Sequence, residues 1–154
     1  AAIDELIAEN TGSGPLAGKL AGRYGTSGYS MGGGGTTLAA TSNASLRTSV
    51  GLAAWSPVGA GIQVPTLLLC GASDTVAPCS HSEASYLDIP ETTPKMMVTV
   101  SGASHLDWFG PTHAGMGVSG ETALAFQKVY LEGDERWKPL LLEQAGGTVV
   151  TNIE

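Results

Sequence analysis

Residues 24–35 read YGTSGYSMGGGG, and the organisation of the chain can be worked out from this stretch. Gly28 and Gly32 flank Ser30 in a G-x-S-x-G pattern, between a strand-like run and a helix-like run. Glycines suit a sharp strand-to-helix turn, because a side chain at either position is expected to collide with the neighbouring strand or helix. The pattern predicts an exposed Ser30 at a helix N-terminus, able to attack a carbonyl whose oxyanion the amide of Met31 receives. The weaker alternative is a glycine-rich turn that merely contains a serine.

The composition fits one globular domain and disfavours several classes of protein. The chain has 154 residues, of which 42% are hydrophobic, so it is long enough for a core. A net charge of −7 does not suit nucleic acid or an anionic membrane surface as a partner. No apolar run reaches the length of about 18 residues needed for a membrane span. The first residues, AAIDE, show no signal peptide, and a mature chain after its removal would look the same.

Apolar runs and turn residues alternate in a way that is typical of an α/β protein. Strands are predicted at residues 23–29, 49–54, 64–70 and 95–100, and helices at 3–9, 31–42, 80–87 and 119–131. The run VPTLLLC does not alternate between apolar and polar residues, as expected for a strand covered by helices on both faces. Residues 137–153 are expected to form a helix and then a terminal strand or tail. The whole pattern predicts a mostly parallel sheet flanked by helices.

An acid and a histidine follow Ser30 in the order that an α/β-hydrolase layout requires, each just after a predicted strand. Asp74 comes after the strand that ends at residue 70, in GASDTVAP, and His105 after the strand that ends at residue 100, in SGASH. We expect His105 to take the proton of Ser30 and Asp74 to hold the imidazole and stabilise its cation. The alternative for Asp74 is that it merely caps a turn.

Other histidines and acids fit these roles less well. His81 falls in the first turn of a predicted helix, where a surface histidine is the ordinary case, and His113 follows no strand. Asp107 is too close to His105 in sequence to orient it easily, and Asp88 ends a helix.

Two cysteines, Cys70 and Cys79, lie nine positions apart in LLLCGASDTVAPC. They do not form a zinc pattern, which needs four clustered ligands, and no metal site or cofactor is predicted. They are either two buried thiols or a local disulfide that closes the loop around Asp74, and the disulfide is favoured.

Several motifs occur in a fixed order across residues 25–137: YSMGGGG, AAW, VPTLLLCGASDTVAP, VSGASH and GDERW. In this combination the chain resembles bacterial cutinases and PET-hydrolase-type polyesterases of the α/β-hydrolase superfamily. The resemblance implies that Ser30, Asp74 and His105 form a catalytic triad, with Met31 as one oxyanion donor. It also implies a secreted serine carboxylic-ester hydrolase that works through an acyl-enzyme on polyester, cutin-like or other apolar esters and needs no cofactor. The rivals are a lipase or small-ester carboxylesterase, and a non-catalytic binding module of the same fold.

The same resemblance implies a set of apolar substrate contacts. Trp55 matches the tryptophan that flanks the bound acyl or aromatic unit, Val76 the apolar residue beside the acid, and Tyr29 the variable aromatic residue before the serine. The loop after the histidine, LDWFGPTHAG, differs from the family, and its aromatic pair, Trp108 and Phe109, is expected to extend an apolar cleft. For Trp55 the alternative is an ordinary core or rim tryptophan.

The chain departs from the family in two further places. A C-terminal disulfide is usual in these proteins, and no cysteine follows Cys79 here. The family also has several strands ahead of the nucleophile, one of whose loops supplies the second oxyanion amide. We therefore expect residues 1–154 to be a single α/β-hydrolase domain that lacks its N-terminal strands, with an open sheet edge beside the nucleophile strand. A processed product, a companion chain that supplies the missing half, and a minimal variant compete as explanations, and an incomplete chain is favoured.

Overall fold

The computed structural model describes residues 2–55, 57–108, 114–143 and 146–154. These residues form a five-stranded sheet. The strands lie across it in chain order: β1 (Gly25–Tyr29), β2 (Thr48–Leu52), β3 (Thr66–Gly71), β4 (Lys95–Val100) and β5 (Gly147–Thr151). Strands β1 to β4 are parallel, and β5 runs antiparallel to β4. The predicted α/β-hydrolase fold with a mostly parallel sheet is confirmed.

Five α-helices are present in the described part of the chain: α1 (Ala2–Thr11), α2 (Met31–Ser42), α3 (Cys79–Asp88), α4 (Ala114–Gln127) and α5 (Pro139–Leu142). The last turn of the predicted helix at residues 119–131 is a π-helical segment, Lys128–Glu132, which continues α4. It ends at Gly133, whose φ of 81° is the left-handed conformation that glycine adopts without strain. None of the helices in the described ranges is long and apolar enough to cross a membrane.

The core is divided between the two faces of the sheet. On one face, Leu67 and Leu69 belong to a buried cluster that includes Phe126 of α4. On the other face, Leu68 belongs to a second cluster that includes Ala40 of α2. Consecutive residues of β3 are therefore all buried, which explains why this strand shows no apolar–polar alternation in the sequence.

Parallel pairing brings the carboxyl ends of the strands to one edge of the sheet. Tyr29, the last residue of β1, is paired with Leu52 at the end of β2. Gly71, the last residue of β3, is paired with Val100 at the end of β4. Side chains that directly follow β1, β3 and β4 are thus gathered on one side of the molecule, where α/β sheets place their sites.

Cys70 and Cys79 form the disulfide that the sequence favoured. It joins β3 to the first residue of α3 and closes the loop that carries Asp74. The two ends of the loop that carries Asp74 are therefore covalently connected.

Reduction of the Cys70–Cys79 disulfide should lower the free energy of unfolding by about 2.5 kcal/mol, because a cross-link restricts the unfolded chain according to the length of the loop that it closes. Urea unfolding with and without a phosphine reductant measures the effect. The double variant Cys70→Ala/Cys79→Ala is the control, since its unfolding should not respond to the reductant. An unchanged midpoint for the reduced wild type would contradict this prediction.

Candidate active site

Ser30 occupies the turn between β1 and α2 with φ 56° and ψ −119°, a backbone conformation that residues other than glycine rarely adopt. Three backbone hydrogen bonds hold it there. Its amide donates to the carbonyl of Leu52 at 2.8 Å, and its carbonyl accepts from the amides of Gly34 and Trp55 at 3.1 and 3.0 Å. A strained conformation at a loop of this kind is maintained by the surrounding structure and is characteristic of functional sites.

The two glycines of the pattern contribute differently to the turn. A Cβ atom on Gly28 would collide with the backbone carbonyl of Gly32, so glycine is required at position 28. A Cβ atom on Gly32 would meet nothing within 4 Å, and the expectation of a clash at this position is wrong. The second close approach is at Gly33 instead, where a Cβ atom would lie 3.0 Å from the Cα of Ala54.

Ser30, His105 and Asp74 form a continuous chain of hydrogen-bonding atoms. Ser30 Oγ lies 3.0 Å from His105 Nε2, and His105 Nδ1 lies 2.7 Å from Asp74 Oδ2. The Asp74 side chain is fully buried and that of His105 is 14% exposed. With the Nδ1 proton donated to the carboxylate, Nε2 carries the lone pair and can accept the proton of Ser30. The arrangement suits proton transfer away from the serine hydroxyl.

Asp74 caps a turn as well as contacting the histidine. Its Oδ1 atom accepts hydrogen bonds from the amides of Val76 and Ala77, both at 2.8 Å. The other oxygen, Oδ2, is directed to His105. The carboxylate of Asp74 therefore caps the turn and also contacts the imidazole of His105, and the turn holds it in place for that contact.

The competing histidines and acids lie elsewhere. Asp107 Oδ2 accepts hydrogen bonds from the amide and the hydroxyl of Ser104, at 2.7 and 2.6 Å, which fixes the loop around His105. His81 lies in α3 with its ring edge-on to Trp55, at a centroid distance of 5.7 Å, a contact that sequence reasoning missed. Asp88 ends α3 as expected, and His113 lies outside the described residues.

Met31 is the first residue of α2, and its amide belongs to the first helical turn, which has no intrahelical acceptors. The positive end of the helix dipole adds to the attraction for negative charge at this point. Met31 is 79% exposed.

The predicted substrate contacts divide into two groups. Trp55 and Val76 are about half exposed, at 49% and 52%. The amide of Trp55 donates to the carbonyl of Ser30, and the amide of Val76 donates to the carboxylate of Asp74. Trp108 is only 4% exposed and belongs to the core cluster around Phe126, so its placement contradicts the expected cleft-lining role. Its neighbour Phe109 lies outside the described residues. Tyr29 is partly buried, and its hydroxyl donates to the carbonyl of His105 at 2.6 Å.

A mostly parallel sheet, with a serine at its strand-to-helix elbow and an acid and a histidine after later strands, defines an α/β-hydrolase. Comparison with known proteins narrows this class. The chain belongs to the PET hydrolase-like family, whose model matches residues 1–153.

Individual relatives carry the names of ester hydrolases. The chain is 32% identical over 145 residues to a bis(hydroxyethyl) terephthalate hydrolase of Streptomyces coelicolor, an alignment that covers 92% of this chain and 44% of the relative. It is 34% identical over 124 residues to cutinase est1 of Thermobifida alba, covering 79% and 40% of the two chains. Lipase 1 of a Moraxella strain is 30% identical over 144 residues, covering 92% and 43%. The chain thus spans less than half the length of these relatives, and the expected continuation of the domain on the N-terminal side stays a prediction.

Proposed function

We propose that this chain carries the catalytic machinery of a serine carboxylic-ester hydrolase that acts on apolar esters, including polyester or cutin-like material. The observation that carries the proposal is the continuous contact from Ser30 Oγ through the imidazole of His105 to the buried carboxylate of Asp74. Membership of the PET hydrolase-like family supports the same reaction class.

The geometry suits a two-step reaction through an acyl-enzyme. Ser30 Oγ attacks the ester carbonyl while His105 Nε2 takes the hydroxyl proton, and the carbonyl oxygen becomes an oxyanion near the amide of Met31. Collapse of the tetrahedral intermediate breaks the bond to the alcohol, which leaves with the proton from His105. A water molecule then attacks the acyl-enzyme and gives a proton to His105, and the acid product leaves as Ser30 recovers its proton. Asp74 stabilises the imidazolium in both steps.

Exposed apolar side chains beside the triad candidates favour an apolar substrate. Trp55 and Val76 present half-exposed side chains next to Ser30 and Asp74, and apolar and aromatic side chains are the usual lining of a site for such ligands. The similarity to Lipase 1 favours a second candidate within the same reaction class, a lipase or small-ester carboxylesterase. The Cys70–Cys79 disulfide fits an oxidising environment and supports secretion as part of the proposal.

A fluorophosphonate probe tests the proposal directly, since an activated serine displaces fluoride from phosphorus and stays labelled. We expect stoichiometric labelling of the chain, located at Ser30 by peptide mass spectrometry, and none in Ser30→Ala. Hydrolysis of bis(hydroxyethyl) terephthalate, a short acetate ester and a long-chain triglyceride then ranks the substrate classes. An unlabelled, well-folded wild-type chain would identify a non-catalytic module of the same fold instead.

Trp55→Ala should lower kcat/KM on aromatic or long-chain esters by about three- to tenfold and leave acetate esters nearly unchanged. An aromatic contact contributes about 0.5–1.5 kcal/mol beyond burial of area, and an acetyl group is too short to form it. The measurement is the ratio of the two specificity constants, together with a thermal melt. Leu124→Ala, which truncates an apolar side chain of similar exposure on α4, is the control. A large loss of melting temperature with an unchanged ratio would make Trp55 a packing residue and remove it from the substrate site.

A further inference from the structure

We infer that Tyr29 is a positioning residue for His105 and not the substrate contact that its place beside the serine suggests. The inference rests on the proposed function, since it assigns the tyrosine a part in keeping the base at the nucleophile. It concerns a residue that ends the strand before Ser30, and a contact that spans 76 positions of the sequence.

The contact between the two residues involves both the backbone and the rings. The hydroxyl of Tyr29 donates to the backbone carbonyl of His105 at 2.6 Å, a short distance for this type of bond. The two rings are tilted by 38° with their centroids 5.0 Å apart, within the range of aromatic pairs. Tyr29 is partly buried and packs against the core cluster of the α4 face. Its hydroxyl and its ring are therefore both engaged with the histidine.

The hydrogen bond from Tyr29 fixes a part of His105 that the rest of the triad leaves open. The imidazole is held by Asp74 at Nδ1 and by Ser30 at Nε2, but both bonds act on the ring alone. The main chain of His105 determines the position from which its side chain extends, and neither of these two bonds holds the main chain. Since Tyr29 directly precedes Ser30, the same strand end places the nucleophile and holds the main chain of its base.

The hydroxyl of Tyr29 is protonated at neutral pH. Burial, and to a smaller extent the carboxylate of Asp74, raises the pKa of the Tyr29 hydroxyl above its ordinary value of 10.0. The Tyr29 hydroxyl therefore keeps, at neutral pH, the proton that it donates to His105.

The first test compares Tyr29→Phe with Tyr24→Phe, which removes a hydroxyl just before the other end of the same strand. We expect Tyr29→Phe to lower kcat about tenfold on every ester with KM unchanged, because an imidazole that is held less firmly is less often in the geometry that takes the proton of Ser30. The rate of fluorophosphonate labelling of Ser30 should fall by the same factor, because it depends on the base and not on an acyl pocket. Tyr24→Phe should match the wild type in all these measurements.

The second test uses proton NMR and needs no turnover. The Nδ1 proton of His105, shared with Asp74, gives a downfield resonance that His105→Ala identifies by its loss. In Tyr29→Phe this resonance should broaden or disappear through faster exchange with water, while the thermal melt stays close to that of the wild type.

The outcomes separate the inference from the proposed function. Wild-type chain that neither labels nor turns over esters overturns the proposed function, and the resonance in Tyr29→Phe still decides whether the tyrosine holds the histidine. An active wild type with an unchanged Tyr29→Phe variant overturns the inference alone. A rise in KM for Tyr29→Phe that differs between esters would show that Tyr29 contacts the substrate. A large drop in melting temperature that accompanies the loss of kcat would show that Tyr29 serves only to stabilise the fold.

Discussion

Replacing Ser30 with alanine should abolish ester turnover and leave the fold intact. The change removes a single hydroxyl, and alanine tolerates the φ of 56° at this position no worse than serine does. Because the members of a triad act as a unit, the loss in kcat should be on the order of 10⁴ or more, and His105→Ala should cost about as much. Initial rates on a soluble ester, measured beside circular dichroism spectra of each variant, give the comparison.

His81→Ala is the matched control for His105→Ala, since it removes a histidine that lies outside the triad contacts and packs on Trp55. The loss of kcat in His81→Ala should be orders of magnitude smaller than in His105→Ala. It should depend on the ester in the same way as the loss in Trp55→Ala. Turnover above a few per cent in Ser30→Ala would require another nucleophile. A His81→Ala variant as inactive as Ser30→Ala would show that the base has been assigned to the wrong histidine.

Gly28→Ala should be the most damaging substitution in the nucleophile turn, while Gly32→Ala should be tolerated. A Cβ atom at position 28 meets backbone atoms of Gly32, which cannot move aside as a side chain end can, so we expect a loss of about 3 kcal/mol in unfolding free energy. At position 32, in helix α2, a Cβ atom meets open space. Alanine should therefore raise the free energy of unfolding by as much as about 1 kcal/mol, because its helix propensity is higher than that of glycine. The two variants differ from the wild type by the same methyl group.

Urea unfolding of the two glycine variants distinguishes local geometry from the sequence pattern. If both glycines served to clear the turn, as the pattern alone suggests, the two substitutions would destabilise the chain to a similar degree. Equal losses would therefore refute the difference between positions 28 and 32 that the structure shows. Gly33→Ala gives an intermediate case, because a Cβ atom there is tight but not in collision.

The sequence by itself was enough to predict the fold class and the three residues of the candidate triad. Strand and helix patterns are local, and the predicted elements agree with β1 to β4 and with α1 to α4 to within a few residues, apart from the start of α4. Ser30, Asp74 and His105 each follow a strand, and the carboxyl ends of parallel strands meet at one edge. Chain order and strand ends were thus enough to predict that these three side chains would lie together.

Only the tertiary structure decided what the aromatic and basic side chains do. Trp55 and Trp108 look alike in sequence, yet one is half exposed and the other lies in the core. Lys95 begins β4 with its side chain buried, where its ammonium group donates to the carbonyls of Tyr86 and Ile89 at 3.1 and 2.7 Å. Tyr29 contacts a carbonyl that is 76 positions away. Burial and partner choice depend on which distant elements pack against a residue, and neighbours in the sequence carry no information about that packing.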